Sequence, residues 1–404
     1  MACEWREVSL YDVADYINGR PTKPSELCAD GVPVIKIAEL NRGVTDETDR
    51  VPPDLVEEKH WVSDGDLLFA WSGSVGIYQY HGLRAALNQH IFRVVAKPGV
   101  DQGFLRYLLQ SQLPTFLDYV ENKKTTMGHV TVRDLKLTQV QVPPLSEQRA
   151  IAHILGTLDD KIKLNRRMNE TMEAMARAIF KAWFVDFEPV RAKMEGHWRR
   201  GESLPGLPAH LYDLFPDRLV NCEIGEIPEG WGEGSVGELA EVSSGKRPGV
   251  GYPEASVQAN VPLWGGNGPM GFVPFPLIDY PILLTGRVGT LGSVFRITSP
   301  CWPSDNTLVL KPRQPLIFEY LFLQLQRIDF DSLNRGSTQP LVTQTDLSSQ
   351  PVLLPPTAIL ERFHAHAGKL YGKIDALENE SRTLAALRDA ILPKLISGEI
   401  RVFQ

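Results

Sequence analysis

PPLSEQRAIAHILGTLDDKIKLNRRMNETMEAMARAIFKAWFVDFEP, residues Pro143–Pro189, is the stretch whose reading decides the fold. Its apolar residues recur at Ile151, Ile154, Leu155, Leu158, Ile162, Met172, Met175, Ile179 and Trp183. Steps of three and four place them in one stripe along a helix. Asp159, Lys161, Lys163, Arg166, Arg167, Glu170 and Glu173 fall on the other face. Ser146 stands where an N-cap belongs, and Glu147 sets a negative charge against the positive helix end. No internal proline stops the pattern. A helix of about 35 residues rises roughly 50 Å at 1.5 Å per residue, longer than a typical globular helix. Its stripe requires a partner.

The C-terminal stretch PPTAILERFHAHAGKLYGKIDALENESRTLAALRDAILPKLISGEI, Pro355–Ile400, supplies one. A shift of 212 positions, from 143 to 355, aligns Pro143-Pro144 with Pro355-Pro356, Leu158 with Leu370, and Lys161-Ile162 with Lys373-Ile374. Met172 then faces Leu384, Met175 faces Leu387, Ile179 faces Ile391 and Trp183 faces Leu395. A repeat of so long a period is an internal duplication in which each copy holds a whole domain.

Working outward, residues 1–142 read as a first domain of short strands, turns and a few helices. VPVIKI (Val32–Ile37) is a strand, and GDLLFAWSGSVGIY (Gly65–Tyr78) is a buried strand running into a Gly/Ser-rich turn. Ile91–Val95 alternates as a strand, and Phe104–Gln112 has a helical pattern. A polar, basic loop, Asn122–Gly128, leads into Val130–Leu137 and a last strand. Residues 231–354 repeat this order as a second domain. Trp5 matches Trp231, GDLLFAWSGSVG matches YPILLTGRVGTLG with Gly73 on Gly289, and Asn88 falls opposite Asn306. FLRYLLQ matches YLFLQLQ, and KTTMGHVTVRDL matches GSTQPLVTQTDL. The frames agree while the loops differ, Trp71-Ser72 standing against Arg287-Val288.

Spacer helices at 143–188 and 355–404 follow the two domains, and residues 189–230, rich in Pro, Gly and charge, read as a linker. The expected architecture is therefore α+β. Two similar globular domains are separated by two long antiparallel helices, with the pseudo-two-fold character of an internal duplication. Antiparallel packing is preferred because a parallel pair would need the 42 residues of 189–230 as its return connection.

The 404 residues suffice for two or three cored domains. A formal charge of −7 and 43% hydrophobic residues suit a soluble protein. No apolar run reaches bilayer length, and MACEWREVSL lacks the basic start and apolar core of a signal peptide. Cys3, Cys28, Cys222 and Cys301 form no C-x-x-C pair, so neither zinc nor disulfides are expected and the cytoplasm is the default compartment.

The duplicated PPLSEQRAIAHILGTLDDKI and PPTAILERFHAHAGKLYGKI, with KAWFVDFEP, LRDAILPKLISGEI, IGEIPEGW and GDLLFAWSGSVG, resemble the specificity subunit of a type I restriction–modification system. The resemblance covers nearly the whole chain. It implies two target-recognition domains, each reading one half of a split site in double-stranded DNA, with helices that set the spacing and dock two modification subunits. Restriction–translocation subunits would join that complex. Methyl transfer with S-adenosylmethionine, and ATP and Mg chemistry, would belong to those partners, leaving this chain without a cofactor, a catalytic role or a membrane contact.

The residues themselves carry no catalytic constellation. The N-P-P-Y type motif of an adenine methyltransferase is missing. The Gly-Lys pairs at 245, 368 and 372 are followed by Arg, Leu and Ile, not by the Ser or Thr of a P-loop, and no H-E-x-x-H metal motif occurs. A two-headed coiled-coil scaffold and a stand-alone DNA-modifying enzyme are the competing readings.

Phosphate contacts call for Lys, Arg, Ser and Thr, and base reading for Arg, Asn, Gln, Lys and His. In the first domain the loops of that composition hold Trp71, Ser72, Ser74, Asn88, Gln89, His90, Lys123, Lys124, Thr125, Thr126 and His129. In the second they hold Lys246, Arg247, Asn267, Arg287, Thr290, Asn306, Arg335, Ser337, Thr338 and Gln339. Charge runs against the assignment: residues 1–142 carry 15 basic against 19 acidic residues, and residues 231–354 carry 8 against 10. Phe180, Trp183, Phe184, Val185 and Phe187 put five large apolar side chains in eight positions. They either dock a partner subunit or pack on the adjoining domain.

Overall fold

Both long helices form. In the computed structural model, which describes residues 5–122, 128–222, 225–336 and 339–402, the first runs Leu145–Phe184 and the second Thr357–Ser397. Ser146 is not the N-cap that its position suggested. The first turn already closes at Pro144, whose carbonyl accepts from the Gln148 N–H at 3.0 Å, so Ser146 lies inside the helix. Pro356 does the same for Leu360 at 3.2 Å in the second helix.

The chain divides into two compact units, Met1–Asn165 with Glu378–Gln404, and Arg166–Leu377. Each long helix therefore contributes one segment to each unit. In the first unit the segments run antiparallel: Asp159 accepts from Arg388 at 2.7 Å, while six residues on, Asn165 Nδ2 donates back to Glu380 at 2.8 Å and Ser381 at 3.2 Å. Ile151, Leu155, Leu395 and Ile396 from these segments enter the core of the first domain. Asp159 is gripped on its other side by Arg106 and the Tyr107 hydroxyl, each at 2.8 Å. In the second unit Phe180, Phe184 and Phe363 enter the core of the second domain with Tyr320.

The two domains share one topology. The first has an antiparallel four-stranded sheet ordered Ala14–Asn18, Ile91–Ala96, Leu67–Ala70, Gly76–Gln79. Its counterpart is ordered Ala240–Ser244, Thr307–Pro312, Ile282–Gly286, Val294–Ile297. Beside each sheet lies a parallel pair, Val32–Ile35 with Ala85–Leu87 and Val261–Gly265 with Trp302–Pro303. Each domain is closed by an antiparallel pair of outer strands, Arg6–Ser9 with Gln139–Val142 and Gly232–Ser235 with Pro351–Leu354. Even the capping box repeats: Thr131 with Asp134 starts the helix Val132–Leu137, and Thr343 with Asp346 starts Gln344–Ser348. The fold is α+β, two β-rich domains with the long helices packed together inside each unit.

Two readings change. Ladder hydrogen bonds pair Leu67 with Val94 and Leu283 with Leu310, which places His90 opposite Asn306 and gives Asn88 the counterpart Ser304. Residue identity had suggested Asn88 and Asn306; strand register overrides it by two positions. Residues 189–230, read as a linker, hold the helix Glu188–Met194 and the hairpin Leu219–Cys222 with Gly225–Pro228. Trp198, Leu211 and Phe215 from this segment are buried in the core of the second unit.

Candidate nucleic-acid interface

In the first domain the strand Leu67–Ala70 delivers Trp71 to the meeting point of three loops. The Trp71 N–H donates to the His90 carbonyl at 3.2 Å, and its own carbonyl accepts from Val130 at 2.9 Å. Its ring lies 5.6 Å from His90, 6.1 Å from His129 and 5.6 Å from Phe92, with its N–H on Asn18 at 3.3 Å. Ser72 forms a bridge with His129 and is buried, while Ser74 is exposed. The turn Asn88–His90 is tied by an Asx contact from the His90 N–H to the Asn88 side chain at 3.2 Å. Trp71, Ser72, Ser74, Asn88, Gln89, His90 and His129 are thus brought to one end of the sheet. Lys123, Lys124, Thr125 and Thr126 lie outside the described residues.

The second domain builds the same junction from different residues. The Arg287 N–H donates to the Asn306 carbonyl at 2.8 Å, and the Arg287 carbonyl accepts from Val342 at 2.9 Å. Gly289 and Gly73, aligned in sequence, share a positive φ of 83° and 72°, a conformation that favours glycine. A Cβ on Gly286 would stand 1.9 Å from the Thr290 carbonyl, so only glycine permits the turn that presents Arg287 and Thr290. Lys246 and Arg247 are exposed beside this end, with the Lys246 carbonyl accepting from the Trp302 indole at 2.7 Å. Among the described residues Lys246, Arg247 and Arg287 form no ion pair. Gln339 is exposed next to Gly289. Ser337 and Thr338 lie outside the described residues.

Arg335 has other work. Its guanidinium grips Asp346 through Nε at 2.8 Å to both oxygens. That hydrogen bond, with the one from Thr343, holds the Asp346 carboxyl below its ordinary pKa. The charge is spent on a helix cap, which leaves Arg335 a weaker phosphate ligand than its exposure suggests.

Each junction also has a pocket. Thr22, Lys36, Ile37, Ala38 and Asn88–His90 line the first, and Gly265–Met270, Val288, Thr290, Ser304 and Asn306 line the second. Thr22, Lys36 and Ser304 escaped the sequence reading. Lys36 ends VPVIK and Thr22 sits in GRPTKP, but nothing local ties either to the Asn88 turn, which reaches them only by the parallel pairing of strands.

The aromatic run Phe180, Trp183, Phe184 and Phe187 offers no docking surface. All four are buried, with Trp183 on Phe215, Phe184 on Tyr320 and Phe363, and Phe187 on Trp231. Val185 is partly buried against the same core. Packing on the adjoining domain, the other reading, consumes the patch. Among the described residues no group of three His, Cys, Asp or Glu side chains is placed to hold a metal, and no helix is long and apolar enough to cross a membrane.

A duplicated β-rich domain, with polar loops that differ between the copies at one end of each sheet and segments of both long helices feeding its core, defines a class of internally duplicated two-domain proteins. The chain belongs to the type I restriction modification DNA specificity domain family, whose model matches residues 3–174 and 228–379. It is accordingly a DNA specificity subunit of a type I restriction–modification system. It is similar to the type I restriction enzyme MjaIX specificity subunit of Methanocaldococcus jannaschii, at 26% identity over 78% of this chain and 73% of that one. It is also similar to the HindI specificity subunit of Haemophilus influenzae, at 24% identity over 98% of this chain and 100% of that one. The crystal structure of an S subunit from M. genitalium shares the fold with a TM-score of 0.58 at 16% identity, covering 98% of this chain and 96% of that one.

Proposed function

We propose that each domain reads one half of a bipartite site in double-stranded DNA. Residues 1–142 and 231–354 are the two readers, and the helical segments 143–188 and 355–404 set the spacing between half-sites. The observation that supports this most directly is the repeated junction: one topology, one loop geometry, and different side chains at its tip. A reader of a single symmetric site has no use for that difference.

The same reading gives the helices two modification subunits to dock, and allows restriction–translocation subunits to join them. Met175 and Leu387 occupy the same position in the two copies and stay 50% and 48% exposed, so they are the docking residues in place of the buried aromatic run. S-adenosylmethionine, ATP and Mg act on those partners, in the cytoplasm. Neither domain has basic excess, so the partners supply most of the non-specific affinity for phosphate and the isolated chain binds DNA weakly.

Methylome sequencing of a host carrying the complete system tests the proposal. The expected result is one methylated sequence of two unlike halves separated by a fixed unspecified gap. A continuous or perfectly palindromic methylated sequence would overturn it.

A further inference from the structure

We infer that the two equivalent pockets read different base pairs. The first, through Lys36, takes a guanine edge, and the second, with Asn267 and Asn306, takes an adenine·thymine pair. This deepens the function proposed above and rests on it.

The pockets occupy one place in the fold. The Asn88 N–H donates to the Ile35 carbonyl at 3.0 Å, and its counterpart Ser304 donates to Trp264 at 2.9 Å. The residues after Ile35 and Trp264, Lys36–Ala38 and Gly265–Asn267, therefore form equivalent walls.

What differs is the chemistry of the walls. Lys36 carries three N–H donors and no acceptor. Asp49 engages it, which orients the ammonium and leaves donors for a second partner. The Gln89 amide nitrogen is turned to the His90 ring, 3.2 Å away, so Lys36 is the donor this wall offers to a base. Guanine presents two acceptors, O6 and N7, on its major-groove edge. The second pocket has no ionisable side chain. The Asn267 and Asn306 amides each donate and accept, as the N6 and N7 of adenine require, and Met270 supplies an apolar surface suited to the thymine methyl.

The test uses the complete system in a host and compares the methylated sequence of the unaltered chain with Lys36→Met, Lys36→Arg and Asn306→Ala. Lys36→Met is expected to relax one G·C position in one half-site by about tenfold or more, leaving the other half unchanged, while Lys36→Arg retains that position. Asn306→Ala is expected to relax an A·T position in the opposite half. An unchanged sequence in Lys36→Met, relaxation at an A·T pair, or relaxation by both variants in one half would overturn the inference. So would loss of all methylation in both Lys36 variants while the complex still assembles on gel filtration, since Lys36 would then support the domain and not read a base. If even the unaltered system methylates no split sequence, the function proposed above is what fails.

Discussion

Phe184→Ala separates a core residue from a docking residue. The Phe184 side chain is 3% exposed, with ring centroids of Tyr320 at 4.9 Å, Phe363 at 5.0 Å, Phe180 at 5.4 Å, Trp231 at 5.8 Å and Trp183 at 6.2 Å. Truncating a buried phenylalanine costs about 3–5 kcal/mol, through lost transfer energy and the cavity left behind. Five rigid rings drawn from the first long helix, the second long helix and the domain between them cannot collapse together into the gap, so the upper half of that range applies. A unit of this size loses roughly 2–4 °C per kcal/mol, and the melting transition of the second unit should fall by about 10 °C or more. Phe184→Leu keeps most of the apolar volume and should cost about 1–2 kcal/mol. Calorimetry on the full chain, paired with co-purification of the modification subunit, is the assay. Phe184→Leu should retain the partner, and Phe184→Ala should lose it only at temperatures where the second unit has melted. A Phe184→Ala chain that melts with the unaltered protein yet fails to bind the partner would refute the burial argument.

Three further outcomes follow from the same geometry. Glu147 accepts from the Trp5 indole at 3.0 Å and from Arg401 at 2.8 and 3.0 Å. Burial works to raise its pKa, but Arg401, Trp5 and the Val402 N–H together hold the carboxyl below its ordinary value. A carboxyl depressed on folding contributes stability above its unfolded pKa and loses it as pH falls through the folded one. The melting gap between the unaltered chain and Glu147→Gln should therefore be full at neutral pH and close below about pH 4; a gap independent of pH in calorimetry would contradict this. Met175→Glu with Leu387→Glu should abolish co-purification of modification subunits while shifting stability by less than about 1 kcal/mol, since both sites are half exposed. Excising Asn165–Thr171 and Leu377–Thr383 together removes about 10 Å of helical rise, roughly three base pairs of duplex. The methylome should then show a shorter gap with both halves unchanged.

Much of the fold was legible because its signals are local or repeated. The stripe from Ile151 to Trp183 and its copy 212 positions on are visible without coordinates, and both helices form over nearly the expected lengths. The strands Leu67–Ala70 and Ile91–Ala96 announced themselves by composition. The small helix Ile37–Arg42 did not, because six residues carry too little periodicity to read. The loops holding Trp71, His90 and His129 have the chemistry of an interface and do converge, whereas Lys36 and Thr22, which line the pocket beside His90, lie in connections with no local cue.

The chain's own sequence decided that one domain would be built twice and that a long amphipathic helix would follow each copy. Periodicity and duplication are properties of order along the chain, and order is what a sequence states directly. Tertiary structure decided which face each apolar run would meet. Phe184 is equally greasy as a docking residue or a core residue, and only Tyr320 and Phe363, far away in the chain, make it core. It also decided that Ser304, not Asn306, is the counterpart of Asn88 in the second domain, because strand register is fixed by hydrogen bonds between segments and not by the identity of the residues they carry.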